Sequence, residues 1–161
     1  MNFGRKRALN CQQLNLIKYA VIVICIYRSS DGKLGTFLNK LELIMQKLMM
    51  KCKTLILCGD WNINFFQTSS HTKELNNLLL RYNLKHIVNV PTRITKITET
   101  LLDVLITNEK KSINSLKVMD LGLSDHYAQI LSISVSNSSN IPNRIKKEIL
   151  VKLMFKNFFI Y

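Results

Sequence analysis

Glycine and proline are scarce in this 161-residue chain, which has five glycines and two prolines. That scarcity excludes collagen-like and linker-like sequences, and the lack of a glycine-rich loop argues against a nucleotide-binding P-loop. No pair of the four cysteines has the CxxC spacing, so the sequence predicts neither a zinc site nor a disulfide framework. The longest unbroken apolar run, 19–27, has nine residues, whereas a transmembrane helix needs about 20. We therefore expect an intracellular protein with no membrane partner.

Acidic residues are also few, since 10 Asp and Glu stand against 23 Lys and Arg, for a net charge of +13. Both ends are basic: residues 1–18 contain four basic and no acidic residues, and residues 144–156 contain five basic residues and one Glu. Basic segments of this kind favour polyanions such as nucleic acid. The alternative is that these basic residues only keep frayed chain ends hydrated and bind no partner.

The periodicity of apolar residues predicts a single α/β domain of strands and helices. We expect strands at 18–27, 53–58, 101–106 and 128–135, helices at 34–50 and 73–82, a linker at 136–142, and a helix in the basic tail 144–161. The strand–helix–strand order over 18–58 indicates a βαβ unit.

Polar side chains follow the buried strand at 53–58, in the sequence Gly-Asp-Trp-Asn at 59–62. Strand alternation points Asp60 and Asn62 the same way. A carboxylate beside an amide can orient a nucleophilic water and donate to a developing oxyanion. An Asp in this setting is also common as a turn residue or helix cap, and both interpretations stay open.

Asp103 lies inside an otherwise apolar strand, where an unpaired carboxylate would be costly. Its candidate partner is His126, in the tripeptide Ser-Asp-His. A carboxylate bonded to an imidazole fixes the ring tautomer and raises its proton affinity. The tripeptide is also compatible with a simple cap and loop.

Five motifs occur in a fixed order: Ile-Tyr-Arg-Ser-Ser at 26–30, Gly-Asp-Trp-Asn at 59–62, Pro-Thr-Arg-Ile-Thr at 91–95, Thr-Leu-Leu-Asp at 100–103 and Ser-Asp-His-Tyr at 124–127. In this order they resemble the endonuclease/exonuclease/phosphatase superfamily. More narrowly, they resemble the endonuclease domain that non-LTR retrotransposons carry ahead of their reverse transcriptase. The resemblance covers about 18–135.

The resemblance implies a four-layer α/β sandwich of two mixed, mostly antiparallel sheets flanked by helices. It also implies Mg²⁺- or Mn²⁺-dependent hydrolysis of DNA phosphodiester bonds, which nicks one strand to prime reverse transcription. In the family pattern Asp60 activates the attacking water, Asn62 stabilises the pentavalent phosphate, and His126 bonds the scissile phosphate or acts as base. Asp103 orients His126, and Asp125 lies near the metal.

The same resemblance assigns Tyr27 and Arg28 to phosphate contacts, and Thr92 and Arg93 to the DNA backbone. It implies DNA as substrate, a reverse transcriptase domain on the same polypeptide as partner, and a nuclear location.

Two departures from the family pattern affect these expectations. Family members begin with strands that carry the main metal-binding glutamate, and residues 1–17 hold no Glu or Asp. Ser29 and Ser30 also stand where retrotransposon members usually have prolines. We therefore expect a basic segment at 1–17 without a family match, a partial domain at 18–136 that is incomplete at its N-terminus, a linker and basic tail at 137–161, and weakened metal binding and nuclease activity.

Two other functions fit the same residues. One is a non-catalytic, basic remnant that binds nucleic acid, and the other is a phosphatase of the same superfamily. The residues of the Pro-Thr-Arg and Ser-Asp-His motifs resemble retrotransposon nucleases more than phosphatases. The charge of +13 favours nucleic acid over a small substrate.

Overall fold

The computed structural model describes residues 9–16, 20–109, 113–136 and 146–153. Their elements follow one another as β1 (Leu9–Leu16), β2 (Val21–Arg28), α1 (Leu34–Met49), β3 (Thr54–Asp60), α2 (Ser70–Arg81), β4 (Lys85–His86), β5 (Arg93–Ile94), β6 (Glu99–Thr100), β7 (Asp103–Thr107), β8 (Ile113–Met119), β9 (Ala128–Ser136) and β10 (Lys146–Leu153).

The central sheet has five strands in the order β1-β2-β3-β7-β4. β2 and β3 run parallel and are connected through α1, which confirms the predicted βαβ unit. The pairs β1–β2, β3–β7 and β4–β7 are antiparallel, so the sheet is mixed, as predicted.

Both faces of this sheet are buried, which explains why β2, β3 and β7 are continuous apolar runs. One face packs under the helices: Ile24 and Leu57 share a core there with Leu41 and Leu75. The opposite face packs against a second sheet, where Val23 lies in one cluster with Leu131 of β9.

The second sheet has three antiparallel strands in the order β10-β9-β8, and β5 and β6 form a separate hairpin. The described residues therefore supply three layers: helices, five-stranded sheet and three-stranded sheet. This arrangement confirms the predicted α/β sandwich of mixed, mostly antiparallel sheets. Neither described helix is long and apolar enough to cross a membrane.

Helix α2 begins three residues earlier than the sequence prediction, because Ser69 caps it. The Ser69 hydroxyl accepts a hydrogen bond from the Thr72 amide at 3.1 Å, and the Thr72 hydroxyl accepts one from the Ser69 amide at 2.8 Å. This reciprocal capping box supplies partners for two otherwise unsatisfied N–H groups.

The predicted helix in the basic tail is wrong. Residues Lys146–Leu153 form strand β10, because β9 offers them a free edge along eight paired positions. Tertiary pairing overrides local helix propensity here. The central sheet and the second sheet thus extend beyond the predicted core of 18–136 at both ends, through β1 and β10. The predicted linker at 136–142 lies, except for its first residue, outside the described residues.

Gly59 is required by the close approach of β3 to β2. Its φ is +126°, and a Cβ at this position would overlap the backbone carbonyl of Ile26. Gly59 therefore lets the chain carry Asp60 directly past the end of β2.

We predict that Gly59→Ala lowers the free energy of unfolding by about 3 kcal/mol or more, because it adds backbone strain and a clash with main-chain atoms. Gly35→Ala is the matched control, since it lies in helix α1 with open space around its Cα. That change should be neutral or stabilise by up to about 1 kcal/mol. Urea denaturation checks both, and equal stability of the two variants would contradict the packing described.

Candidate active site

Asp60 and Asp103 lie opposite each other where β3 ends and β7 begins, on two inner strands of the central sheet. They are paired residues in the antiparallel register of β3 and β7. Asp103 is fully buried, whereas Asp60 is partly exposed. Two carboxylates this close repel each other, so the arrangement needs compensating donors or positive charge.

His126 provides the compensation for Asp103. Its ring nitrogen Nδ1 lies 2.9 Å from Asp103 Oδ2 and 3.1 Å from Oδ1. Ser124 stabilises the turn that precedes β9, since its hydroxyl accepts a hydrogen bond from the His126 amide at 3.1 Å. The structure thus brings together the carboxylate and the imidazole that the sequence predicts as partners, and it leaves Nε2 as the ring nitrogen not facing Asp103.

Asn62 is turned towards Asp60 by a left-handed backbone conformation, with φ of +49°. Its amide N–H donates to Asp60 Oδ1 at 3.0 Å. Its side-chain Nδ2 donates to the Arg28 carbonyl at 2.8 Å and lies 3.4 Å from Asp60 Oδ2. In this conformation Asn62 orients Asp60, and the predicted contact with a pentavalent phosphate stays a prediction.

Arg28 differs from the sequence prediction of a phosphate contact. Its side chain is 5% exposed, and its guanidinium donates to the backbone carbonyls of Gly32, Trp61 and Asn62 at 3.1–3.4 Å. The planar guanidinium suits several acceptors held in fixed positions. Arg28 therefore fixes the turn that carries Asn62, and it is not placed to bind DNA.

Thr92 also differs from the prediction of a DNA-backbone contact. It is fully buried, and its hydroxyl accepts hydrogen bonds from the amides of Leu102 and Asp103 at 3.1 and 3.0 Å. The predicted binding loop instead holds the start of β7.

Arg93 and Asp125 form an ion pair, with Arg93 Nε 2.7 Å from Asp125 Oδ2. Their side chains are 41% and 39% exposed, so Arg93 remains placed at the surface beside His126, with which it forms a β-bridge. Asp125 forms this ion pair with Arg93, and its predicted position near the metal stays a prediction. Tyr27 is partly buried on β2, and its contact with phosphate stays a prediction.

The pKa values of Asp60, His126 and Asp125 are shifted from the usual values of these side chains. Burial and the neighbouring Asp103 raise the pKa of Asp60 to about 6, against the opposing hydrogen bond from the Asn62 amide. The hydrogen bond to Asp103 raises the pKa of His126 above 6.5, although burial opposes it. The hydrogen bond from Arg93 lowers the pKa of Asp125. Asp60 is therefore a better proton acceptor than an ordinary carboxylate, and His126 holds its proton more tightly than an ordinary imidazole.

The ligand atoms of Asp60, Asp103 and His126 lie within 4.8 Å of one another, so these residues could hold a metal ion. The chemistry of the donor set fits a hard divalent cation, which prefers carboxylate oxygens. The raised pKa of Asp60 supports the fit, because a cation would relieve the surplus negative charge. Asp103 is already shared with His126, which leaves Asp60 as the more available carboxylate.

Comparison with known proteins agrees with this geometry. Residues 21–130 match the family described as "Endonuclease-reverse transcriptase". The chain belongs to this family. Among solved structures, it is similar to the "Endonuclease domain of TRAS1, a telomere-specific non-LTR retrotransposon", with a TM-score of 0.60 and 19% identity. That similarity covers 81% of this chain and 70% of the TRAS1 domain. A search of curated proteins finds no match.

Membership of the endonuclease–reverse transcriptase family confirms the superfamily that the five motifs predicted, and the TRAS1 comparison confirms its sandwich fold. An endonuclease-type domain of the endonuclease–reverse transcriptase family is therefore the general description of this chain.

Sequence reasoning missed two residues that support the site. Asn64 accepts a hydrogen bond from the Leu101 amide through its side-chain oxygen at 3.1 Å, and Gln129 donates to the Asp103 carbonyl at 2.9 Å. The available signal for Gln129 was a polar residue at an inward position of an otherwise apolar strand face.

The raised pKa of Asp60 predicts a stability penalty above pH 6. The native state keeps this proton up to about pH 6, whereas the unfolded carboxyl loses it near 3.8, so stability falls as pH rises between these values. We predict that Asp60→Asn is more stable than the wild type by about 1–3 kcal/mol at pH 8, with little difference below pH 4.

Asp125→Asn is the matched control, because its pKa is shifted the other way and the change removes a favourable pair with Arg93. It should be no more stable than the wild type at pH 8. Urea unfolding at both pH values decides the matter, and an Asp60→Asn variant less stable at pH 8 would refute the electrostatic account.

Proposed function

We propose that this chain hydrolyses phosphodiester bonds of DNA with a divalent metal, as a retrotransposon-type nicking endonuclease. The observation that carries the proposal is the contact of His126 with buried Asp103 beside a second carboxylate, Asp60, whose pKa is about 6. A carboxylate that can accept a proton next to an imidazole that can donate one is a pair that hydrolysis of a phosphate diester can use.

In the proposed mechanism Asp60 accepts the proton of the attacking water, with its carboxylate oriented by the amide of Asn62. As the water oxygen bonds to phosphorus, the bond from phosphorus to the leaving oxygen breaks, and His126 Nε2 donates a proton to that oxygen. Asp103 holds Nδ1 and thus the direction of the ring. Arg93, exposed beside His126, binds a neighbouring phosphate of the DNA backbone when it exchanges Asp125 for that anion. The positions of these donors and acceptors support the proposed roles.

A divalent cation at this site supplies Lewis-acid stabilisation of charge on the reacting phosphate. Asp60 and Asp103 are the carboxylates that would hold it, with His126 adjacent. Since Asp103 is shared with His126, Asp60 is the main carboxylate left for the cation, and we propose that Mg²⁺ or Mn²⁺ binds weakly. Slow hydrolysis follows from weak occupancy.

Two partners follow from the same proposal. The substrate is DNA, which the net charge of +13 supports, and a reverse transcriptase domain on the same polypeptide would extend the nick. Because chromosomal DNA is the target, we propose a nuclear location.

The second candidate is a basic domain that binds nucleic acid without cutting it, and the charge of +13 is the observation that favours it. Such binding weakens linearly in log affinity against log salt concentration, because counterions are released from the phosphates.

A plasmid-nicking assay tests the proposal. With Mg²⁺ or Mn²⁺ the wild type should nick slowly, EDTA should abolish the activity, and His126→Ala should lower it by about 10²-fold or more. His71→Ala is the matched control, since His71 lies exposed on α2, outside the cluster. It should nick at the wild-type rate.

Equal rates for His126→Ala and the wild type would contradict the site. Salt-dependent DNA binding without nicking would instead support the non-catalytic candidate. Preferential hydrolysis of a small phosphate ester, measured by release of inorganic phosphate, would indicate a phosphatase.

A further inference from the structure

At the start of β7, the side turned away from β3 has no paired strand among the described residues. β4 pairs with β7 only at Ile106 and Thr107, and the last backbone bond from this segment runs from the Ile87 amide to the Leu105 carbonyl at 2.9 Å. Asp103 lies two residues before Leu105, so its own N–H and C=O on that side face no neighbouring strand among the described residues. Buried backbone groups of this kind need other partners.

Two buried side chains take the place of the missing strand. The Thr92 hydroxyl accepts a hydrogen bond from the Asp103 amide at 3.0 Å, and Gln129 Nε2 donates to the Asp103 carbonyl at 2.9 Å. Both side chains are 0% exposed. Gln129 belongs to β9 of the second sheet, so its bond joins the two sheets at the residue that holds His126.

Gln129 is a polar residue on a face of β9 whose next inward residues are apolar. The following inward residues of β9, Leu131 and Ile133, belong to the apolar cluster between the sheets. The other side-chain atom of Gln129, Oε1, is buried and has no hydrogen-bond partner among the described residues. A buried, unsatisfied acceptor lowers stability, so core packing alone does not explain an amide side chain at this position.

We propose that Gln129 is a positioning residue of the active site, which fixes the Asp103 carboxylate against His126 by holding the Asp103 backbone. Residues that break a local packing rule concentrate at functional sites, where precise placement outweighs stability. The nuclease role of this placement rests on the function proposed above, whereas the placement itself does not.

The bond explains how the two-oxygen contact with His126 is kept. Both Asp103 oxygens lie about equally far from Nδ1, at 2.9 and 3.1 Å, which requires a fixed direction of the carboxylate. Thr92 and Gln129 hold the two backbone groups that flank that side chain. Without Gln129, the end of β7 can rotate about its remaining bonds, and the carboxylate loses its alignment.

Gln129→Met tests the inference, because it keeps the length of the side chain and removes both the donor and the unsatisfied acceptor. The readout is the NMR signal of the His126 Nδ1 proton, recorded without metal at a pH where the ring is protonated. We expect the signal to move upfield and its exchange with water to become about tenfold faster. That factor is the effect expected when one hydrogen bond that holds Asp103 in place is removed. The thermal midpoint should change little, because the Asp103 carbonyl loses its donor while the unsatisfied Oε1 is removed as well.

Leu131→Ala is the matched control, since Leu131 is fully buried on the same face of the same strand. It should lower the thermal midpoint and leave the His126 signal unchanged. An unchanged signal in Gln129→Met, or an equal change in Leu131→Ala, would overturn the inference. Failure of both Gln129→Met and Gln129→Leu to fold would also overturn it, because the account requires apolar residues to be tolerated here.

Nicking rates separate this inference from the proposed function. If the wild type nicks DNA, Gln129→Met should lower the turnover rate about tenfold with little change in KM. If the wild type does not nick DNA, the proposed function fails, while the NMR comparison still decides whether Gln129 positions Asp103.

Discussion

The hydrogen-bonded contact between Asp103 and His126 is the interaction on which the site depends. Asp103 begins β7 of the central sheet, and His126 lies just before β9 of the second sheet, so the contact is made only when the two sheets pack correctly. Removing one member of a buried charged pair leaves the other uncompensated, which is strongly destabilising. Folding and assembly of the candidate active site are therefore one event.

Asp60 shows what this arrangement costs the protein. Its carboxylate lies opposite that of Asp103, is partly removed from water, and holds its proton more tightly than usual. Its donors come from one turn, in which the left-handed Asn62 is held by the buried guanidinium of Arg28. The same surplus of negative charge that weakens the fold is what makes the site receptive to a cation and suits Asp60 to accept a proton from water.

The sequence predicted more of the fold than of the individual contacts. The long apolar runs of β2 and β3 identified a sheet buried on both faces, and the order of motifs identified the family. β10 was mispredicted because its identity as a strand depends on a free edge of β9, which no local pattern contains.

The site residues divide in the same way. Asp103 needed a partner on energetic grounds, and that requirement pointed to His126 before any geometry was known. The family resemblance predicts that Arg28 and Thr92 contact phosphate or the DNA backbone, yet the structure uses them to satisfy buried backbone groups. Which polar side chains turn inward depends on where backbone groups are left without partners, and that follows only from the assembled sheets.

The central claim is that Asp103 controls the protonation of His126, and titration of the His126 ring by NMR in metal-free protein tests it most directly. The account predicts a pKa above 6.5 in the wild type, and a clear fall in Asp103→Asn, because the charge that raises it is gone while burial still lowers it. Asp120→Asn, in an exposed loop, should leave the titration unchanged. An identical His126 titration in the wild type and Asp103→Asn would contradict the account.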